Sequence, residues 1–277
     1  MSVVQIVLGV LAFAAASVAG AVWAFQTYGM YRFDPRPNSP GEFGLPSTVR
    51  VVRYTSEDGA PVHAWIADPA KGLPVILSFY GNQSCIGGSM GRLSRLIQAG
   101  YGIMMMEYRG SGGTPGKPSA ANFARDARAL YDQMDALLGE VIPTDRRVLY
   151  GFSLGAGVAS RLAEERSFSA AIFEAAPYRT CLFYEDRYFG FPLCRLMWSE
   201  RYDIIDHLRN VRVPKLLVHG RLDRSLPVER ARRLFQEAPE PKQYVELPGG
   251  GHADLHEYGL IPAIESFLQE QLRPVVQ

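Results

Sequence analysis

Cysteine is scarce: Cys85, Cys181 and Cys194 are the only ones in 277 residues. An odd count with no Cys-x-x-Cys or Cys/His ligand spacing excludes both a disulfide-built scaffold and a zinc site. The three read as ordinary thiols, with Cys181 and Cys194 able to pair only in an oxidising compartment. Charge of one sign is missing too. The 29 Lys and Arg nearly balance the 28 Asp and Glu, giving a net charge of +1. With no basic block, the electrostatic footprint that a nucleic-acid partner requires is absent. Histidine is rare at five residues, which leaves few candidates for proton transfer. No repeat or low-complexity stretch is present. Apolar residues, in contrast, are plentiful at 47%. At this length they suffice for one large α/β core but not for two comfortable domains.

The longest apolar run comes first. Val3 to Phe25 carries no charge, and as a helix it spans a hydrocarbon core of about 30 Å. A cleaved signal peptide is the rival reading, since Ala19-Gly20-Ala21 offers small residues for cleavage. No Lys or Arg precedes the run, and it exceeds the usual apolar region of a signal, so residues 1–27 read as a single-pass anchor. Trp23, Tyr28 and Tyr31 fit an interfacial aromatic belt. Arg32, Arg36, Arg50 and Arg53 all follow the helix, which by the positive-inside rule places the body on the cytoplasmic face. Residues 28–46, rich in Pro and Gly, read as an extended tether.

From residue 47 to 273 the pattern is that of one α/β domain. A hairpin around Asp58-Gly59 opens it. Buried strands over Pro74–Tyr80, Gly102–Glu107, Val148–Phe152, Ala170–Ala175, Lys215–Gly220 and Tyr244–Leu247 then alternate with helical stretches, the longest from Ala120 to Leu138. Such alternation predicts a mostly parallel sheet of about eight strands, covered on both faces, with ligands at the strands' C-terminal ends. An insertion at about 178–209 is too long and too aromatic for a simple crossover. It reads as a small helical cap whose Phe183, Phe189 and Trp198, together with Tyr80 and Phe152 from the sheet edge, line an apolar pocket.

The chain is organised around Gly151-Phe152-Ser153-Leu154-Gly155. A strand that turns at once into a helix forces its central residue into a strained conformation, and the positions two before and two after it must lack bulk. Ser153 is thereby exposed as a nucleophile, and the Leu154 N–H is aimed at a developing oxyanion. A serine hydroxyl needs a base, and the base needs an orienting acid. Asp223 and His252 each follow a later strand, in the order Ser, Asp, His. Asp254 is a weaker orienter because it lies only two residues from His252. His252 and His256 suggest a metal pair by spacing, but no third ligand accompanies them, so neither metal nor cofactor is expected. The loop after Tyr80 supplies the second oxyanion donor, assigned to the N–H of Asn82.

Ser-Phe-Tyr-Gly-Asn at 78–82, Glu-Tyr-Arg-Gly-Ser-Gly-Gly at 107–113, Gly-Phe-Ser-Leu-Gly at 151–155, His-Gly-Arg-Leu-Asp at 219–223 and Gly-Gly-His at 250–252 together resemble the α/β-hydrolase superfamily. More narrowly, they resemble its membrane-anchored ABHD-type serine hydrolases and their bacterial relatives. The resemblance implies cleavage of a carboxylic ester or thioester, often of an acyl chain, by a Ser-His-Asp triad. Relatives usually have His where this chain has Tyr80, a departure that removes a side chain buttressing the oxyanion loop. Two alternatives stay open: an amidase on the same triad, and a membrane-tethered scaffold that keeps the fold without turnover.

Overall fold

The computed structural model describes residues 2–272. Eight strands form one sheet in the order β1-β2-β4-β3-β5-β6-β7-β8, comprising β1 (Arg50–Thr55), β2 (Pro61–Ala67), β3 (Val75–Phe79), β4 (Gly102–Met106), β5 (Arg147–Phe152), β6 (Ala170–Glu174), β7 (Lys215–Gly220) and β8 (Lys242–Leu247). β1 and β2 form the expected antiparallel hairpin, and β2 pairs antiparallel with β4. From β4 to β8 every pairing is parallel. Parallel neighbours need crossover connections that cover both faces, which is why every residue of β3, β4 and β6 is buried and why these strands read as continuous apolar runs. The C-terminal ends of β5, β7 and β8 consequently share one edge.

The helices are α1 (Val3–Ala24), α2 (Ile86–Arg92), α3 (Ser94–Gln98), α4 (Ala120–Asp132), α5 (Met134–Leu138), α6 (Leu154–Glu165), α7 (Thr180–Arg187), α8 (Leu193–Leu196), α9 (Ile204–Leu208), α10 (Val228–Glu237) and α11 (Leu260–Gln271). The stretch expected as one helix to Leu138 is broken at Gln133, whose side chain donates to the carbonyls of Thr55 and Ala129. Three of the short helices, α7 to α9, make up the insertion, as a helical cap should.

Helix α1 starts at a capping box in which the Ser2 hydroxyl accepts from the Gln5 N–H and the Gln5 side chain accepts from the Ser2 N–H. It continues through one π-turn to Gly29 and is long and apolar enough to cross a membrane. Among the residues of α1 only Val22 is buried. In the following turn Gln26 is buried, and its Oε1 accepts from the backbone N–H groups of Trp198 and Ser199 at 3.2 and 3.0 Å.

Residues 28–46 are not the extended tether that their Pro and Gly content suggests. Met30 is buried, and the Tyr31 hydroxyl bonds both Glu200 and the Tyr202 hydroxyl. Phe33 packs 5.2 Å from Tyr108 and 6.1 Å from Tyr80 between ring centroids. The N–H groups of Gly112 and Gly113 donate to the carbonyls of Asp34 and Pro35. Regular structure here is limited to the end of the π-turn at Gly29 and a single 3₁₀ turn over Pro40–Phe43, but the aromatics before that turn bury enough surface to fix the segment against the domain.

Candidate active site

At the end of β5 the chain reverses through Ser153, whose backbone sits at φ 52°, ψ −115° before α6 begins. A non-glycine residue there is strained, by of order 1–3 kcal/mol, and the surroundings hold it. The Ser153 N–H donates to the Glu174 carbonyl at 2.9 Å. A Cβ on Gly151 would lie 2.6 Å from the Ala156 Cα, and one on Gly155 would lie 2.1 Å from the Phe79 carbonyl oxygen. Both close approaches forbid a side chain, so the two glycines are what allow β5, β3 and α6 to meet at this turn.

The Ser153 Oγ lies 3.0 Å from His252 Nε2, and His252 Nδ1 lies 2.7 Å from Asp223 Oδ2. The three residues chosen from the sequence therefore converge from three separate loops. Asp223 is buried, which by itself raises a carboxyl's pKa. The His252 hydrogen bond and charge, with the Leu226 N–H, outweigh burial and hold it below its ordinary value. Its Oδ1 accepts from the N–H groups of Ser225 and Leu226, each at 2.8 Å. His219 is buried, and burial lowers its pKa, against the Leu226 carbonyl and the Asp223 charge. Its Nε2–H donates to the Leu226 carbonyl at 2.9 Å and lies 3.3 Å from Asp223 Oδ2. In the sequence His219 appears only as the first residue of the His-Gly-Arg-Leu-Asp run; its contact with the acid could be found only in three dimensions.

Asp254 does not reach the imidazole. Its Oδ1 accepts from the Gly251 N–H at 2.7 Å and so shapes the loop that carries His252. Behind the triad the Phe152 ring packs 4.2 Å from the Arg92 guanidinium and 5.4 Å from the His252 ring. Arg92 in turn pairs with the buried Glu174 carboxylate.

The backbone N–H groups of Leu154 and Asn82 make no hydrogen bond among the described residues. The Asn82 side chain binds two segments of the chain. Its Oδ1 accepts from the N–H groups of Arg32 and Gln83, both at 3.1 Å, and its Nδ2 donates to the Met30 carbonyl at 2.7 Å. One amide thus fastens the loop after β3 to the segment leaving α1.

A cavity of about 570 Å³ opens in front of Ser153, Leu154, Asn82 and His252. Phe183 lines it as expected, joined by Met30, Tyr184 and Leu226. The other four pocket assignments are corrected. Phe152 lies behind the triad, as described above, and is absent from the lining. Phe189 is fully exposed and Trp198 is 58% exposed, both beyond the cavity wall, because their stretches of the cap point outward. Tyr80 is turned behind the sheet edge and wholly buried. Its hydroxyl bonds Glu107 and lies 3.1 Å from the Ser111 Oγ, while the Tyr108 hydroxyl donates to the Tyr80 carbonyl at 2.7 Å. Tyr80 thereby buttresses the loop after β3 through its own hydroxyl. Burial pushes the Glu107 carboxyl up to about 7, against the hydrogen bonds from Tyr80, Ser111 and Tyr108.

In the cap, Cys181 and Cys194 form a disulfide, contrary to their reading as ordinary thiols. It joins α7 to α8 beside the cavity, and the Glu185 carboxylate accepts from the Cys194 N–H at 2.8 Å.

A sheet in this order, with a serine-bearing elbow after β5 and acid and imidazole after β7 and β8, defines the α/β-hydrolase class. The chain belongs to the α/β-hydrolase superfamily. It is 31% identical over 273 residues to the uncharacterized protein Rv2307c of Mycobacterium tuberculosis, covering 95% of this chain and 94% of that protein. It is 26% identical over 238 residues to the alpha/beta hydrolase domain-containing protein WAV2 of Arabidopsis thaliana, covering 79% and 76%. Among solved structures, the esterase Pf2001 of Pyrococcus furiosus superposes with a TM-score of 0.67 at 17% identity, over 87% of this chain and 99% of that one. The esterase domain of a Rhodothermus marinus protein gives 0.61 at 21%, over 81% and 99%. At those identities the likeness shows the fold alone. No family model matches the chain.

Proposed function

We propose that this chain is a serine hydrolase that cleaves the carboxylic ester or thioester of a lipophilic acyl substrate. The observation that carries the reading is the relay of 3.0 and 2.7 Å linking Ser153, His252 and Asp223. His252 Nε2 takes the hydroxyl proton as Ser153 Oγ bonds to the acyl carbon, and the tetrahedral oxyanion is held by the N–H groups of Leu154 and Asn82. His252 then gives the proton to the departing alkoxide or thiolate, leaving an acyl-enzyme. Water, deprotonated by the same imidazole, adds to that ester and releases the acid and free Ser153. Asp223 fixes the tautomer, with Nδ1–H donating to its carboxylate, and stabilises the imidazolium. The esterase titles of the structural neighbours accord with this chemistry. Turnover of short p-nitrophenyl esters by the full chain, lost in His252→Ala, is expected; no turnover, or turnover unaffected by that substitution, contradicts the reading.

The lipophilic part of the proposal rests on α1 and the apolar lining. An apolar helix of 22 residues with almost every side chain exposed far exceeds the apolar patch that water tolerates, so α1 is assigned to a bilayer as a single-pass anchor. The domain is assigned to the oxidising side, because a cap disulfide does not persist in a reducing cytosol. The arginines that suggested the opposite are weak witnesses. Arg36 pairs with Asp34 and Arg50 with Asp68, as part of a folded surface. A reporter fused after Gln277 distinguishes the two sides.

A further inference from the structure

Three arginines from three different elements line the cavity in front of Ser153: Arg32 in the segment after α1, Arg187 at the end of α7, and Arg224 directly after Asp223. None of the three makes a salt bridge among the described residues. Most other arginines pair with carboxylates; Arg53, Arg95, Arg146, Arg195 and Arg212 also make no salt bridge among the described residues, but none of these lines the cavity. Arg109 holds Asp58 and Asp126, Arg128 holds Glu57 and Glu165, and Arg179 holds Asp203 and Asp206. The acidic residue in the cavity wall, Asp186, is already neutralised by a two-pronged contact with Arg230 at 2.6 and 2.8 Å. Three like charges around one opening, with no carboxylate paired to them, favour an anion between them. Their guanidinium forks match a planar or tetrahedral oxyacid. The apolar part of the lining, which includes Met30, Phe183 and Leu226, suits an alkyl chain.

We infer that the substrate carries an anionic oxyacid group, a carboxylate or a phosphate, which Arg32, Arg187 and Arg224 bind while Ser153 faces the scissile acyl carbon. This deepens the hydrolase reading and rests on it for the identity of the bond cleaved. It does not rest on it for the charge of the ligand, and the test separates the two by measuring binding to a protein that lacks the nucleophile.

The full chain carrying Ser153→Ala, held in a neutral detergent, is titrated with two matched pairs: monooctyl succinate against methyl octyl succinate, and monooctyl phosphate against octanol. Each acid is expected to bind at least about tenfold more tightly than its neutral partner, and the stronger of the two identifies carboxylate or phosphate as the preferred group. The preference should shrink in about 0.5 M salt. It should fall below about threefold when Arg187→Gln and Arg224→Gln are added, with the melting temperature unchanged because both side chains are exposed. Equal binding of acid and neutral partner, no measurable binding of either acid, or a preference that survives the double substitution overturns the inference. Failure of the unsubstituted enzyme to turn over p-nitrophenyl esters strikes the hydrolase reading alone.

Discussion

The two walls of the cavity are held by different means. The sheet-edge wall, with Ser153, Asp223 and His252, is positioned by backbone: parallel pairing from β4 to β8, glycines that admit no Cβ, and N–H groups that fix Asp223. The opposite wall, made by the cap and by residues 28–46, is positioned by side chains brought together from far apart in sequence, such as Gln26 with Ser199 and Tyr31 with Glu200. The first kind of wall leaves a local signature in sequence. The second does not, and it can diverge while the chemistry stays in place.

Substitutions on the two walls should therefore fail in different ways. The largest effect belongs to the relay. Asp223→Asn keeps the shape but offers Nδ1 the wrong partner, and esterase kcat should drop by roughly 10⁴-fold with little change in melting temperature; a drop below tenfold would mean that Asp223 does not orient the base. Next comes the buried acid beneath the loop after β3. Because the folded pKa of Glu107 is raised to about 7, its protonated form fits the fold better. That contribution is complete below about pH 4.5 and is lost as pH rises through 7, by up to about 3 kcal/mol. Glu107→Gln should flatten this part of the stability profile, and an unchanged slope in urea titrations between those pH values would refute the assignment.

On the second wall, Phe33→Ala opens the packing against Tyr80 and Tyr108 and should cost about 2 kcal/mol. The docking of residues 28–46 should show as hydrogen-exchange protection that this variant loses; rapid exchange there in the unsubstituted chain would restore the free-tether picture. At the bottom of the scale, Arg36→Ala removes an exposed pair with Asp34 and should leave the melting curve where it was.

Sequence alone carried the eight strands, the candidates Ser153, Asp223 and His252 that the fold brings together, and the insertion at about 178–209, because each rests on a local pattern: continuous apolar runs, glycines flanking Ser153, an acid and a histidine after strands. It carried Phe183 but not the rest of the pocket. Whether Phe189 or Trp198 turns inward depends on how α7 and α8 lie, and that is set by a disulfide and by Gln26, 172 residues from Trp198. Tyr80 read as a missing buttress because its partners, Glu107 and Ser111, follow the neighbouring strand of the sheet and not its own. The docking of residues 28–46 was hidden for a similar reason: Pro and Gly report on backbone freedom, whereas Tyr31 and Phe33 report on burial.

The account depends most on Ser153 being a nucleophile activated by His252. Reaction of the full chain with a fluorophosphonate, followed by peptide mass spectrometry, tests that directly. Stoichiometric modification of Ser153, abolished in Ser153→Ala and slowed at least about 10³-fold in His252→Ala, is the predicted result. No modification of the folded protein, or modification at another residue that persists in Ser153→Ala, would contradict it.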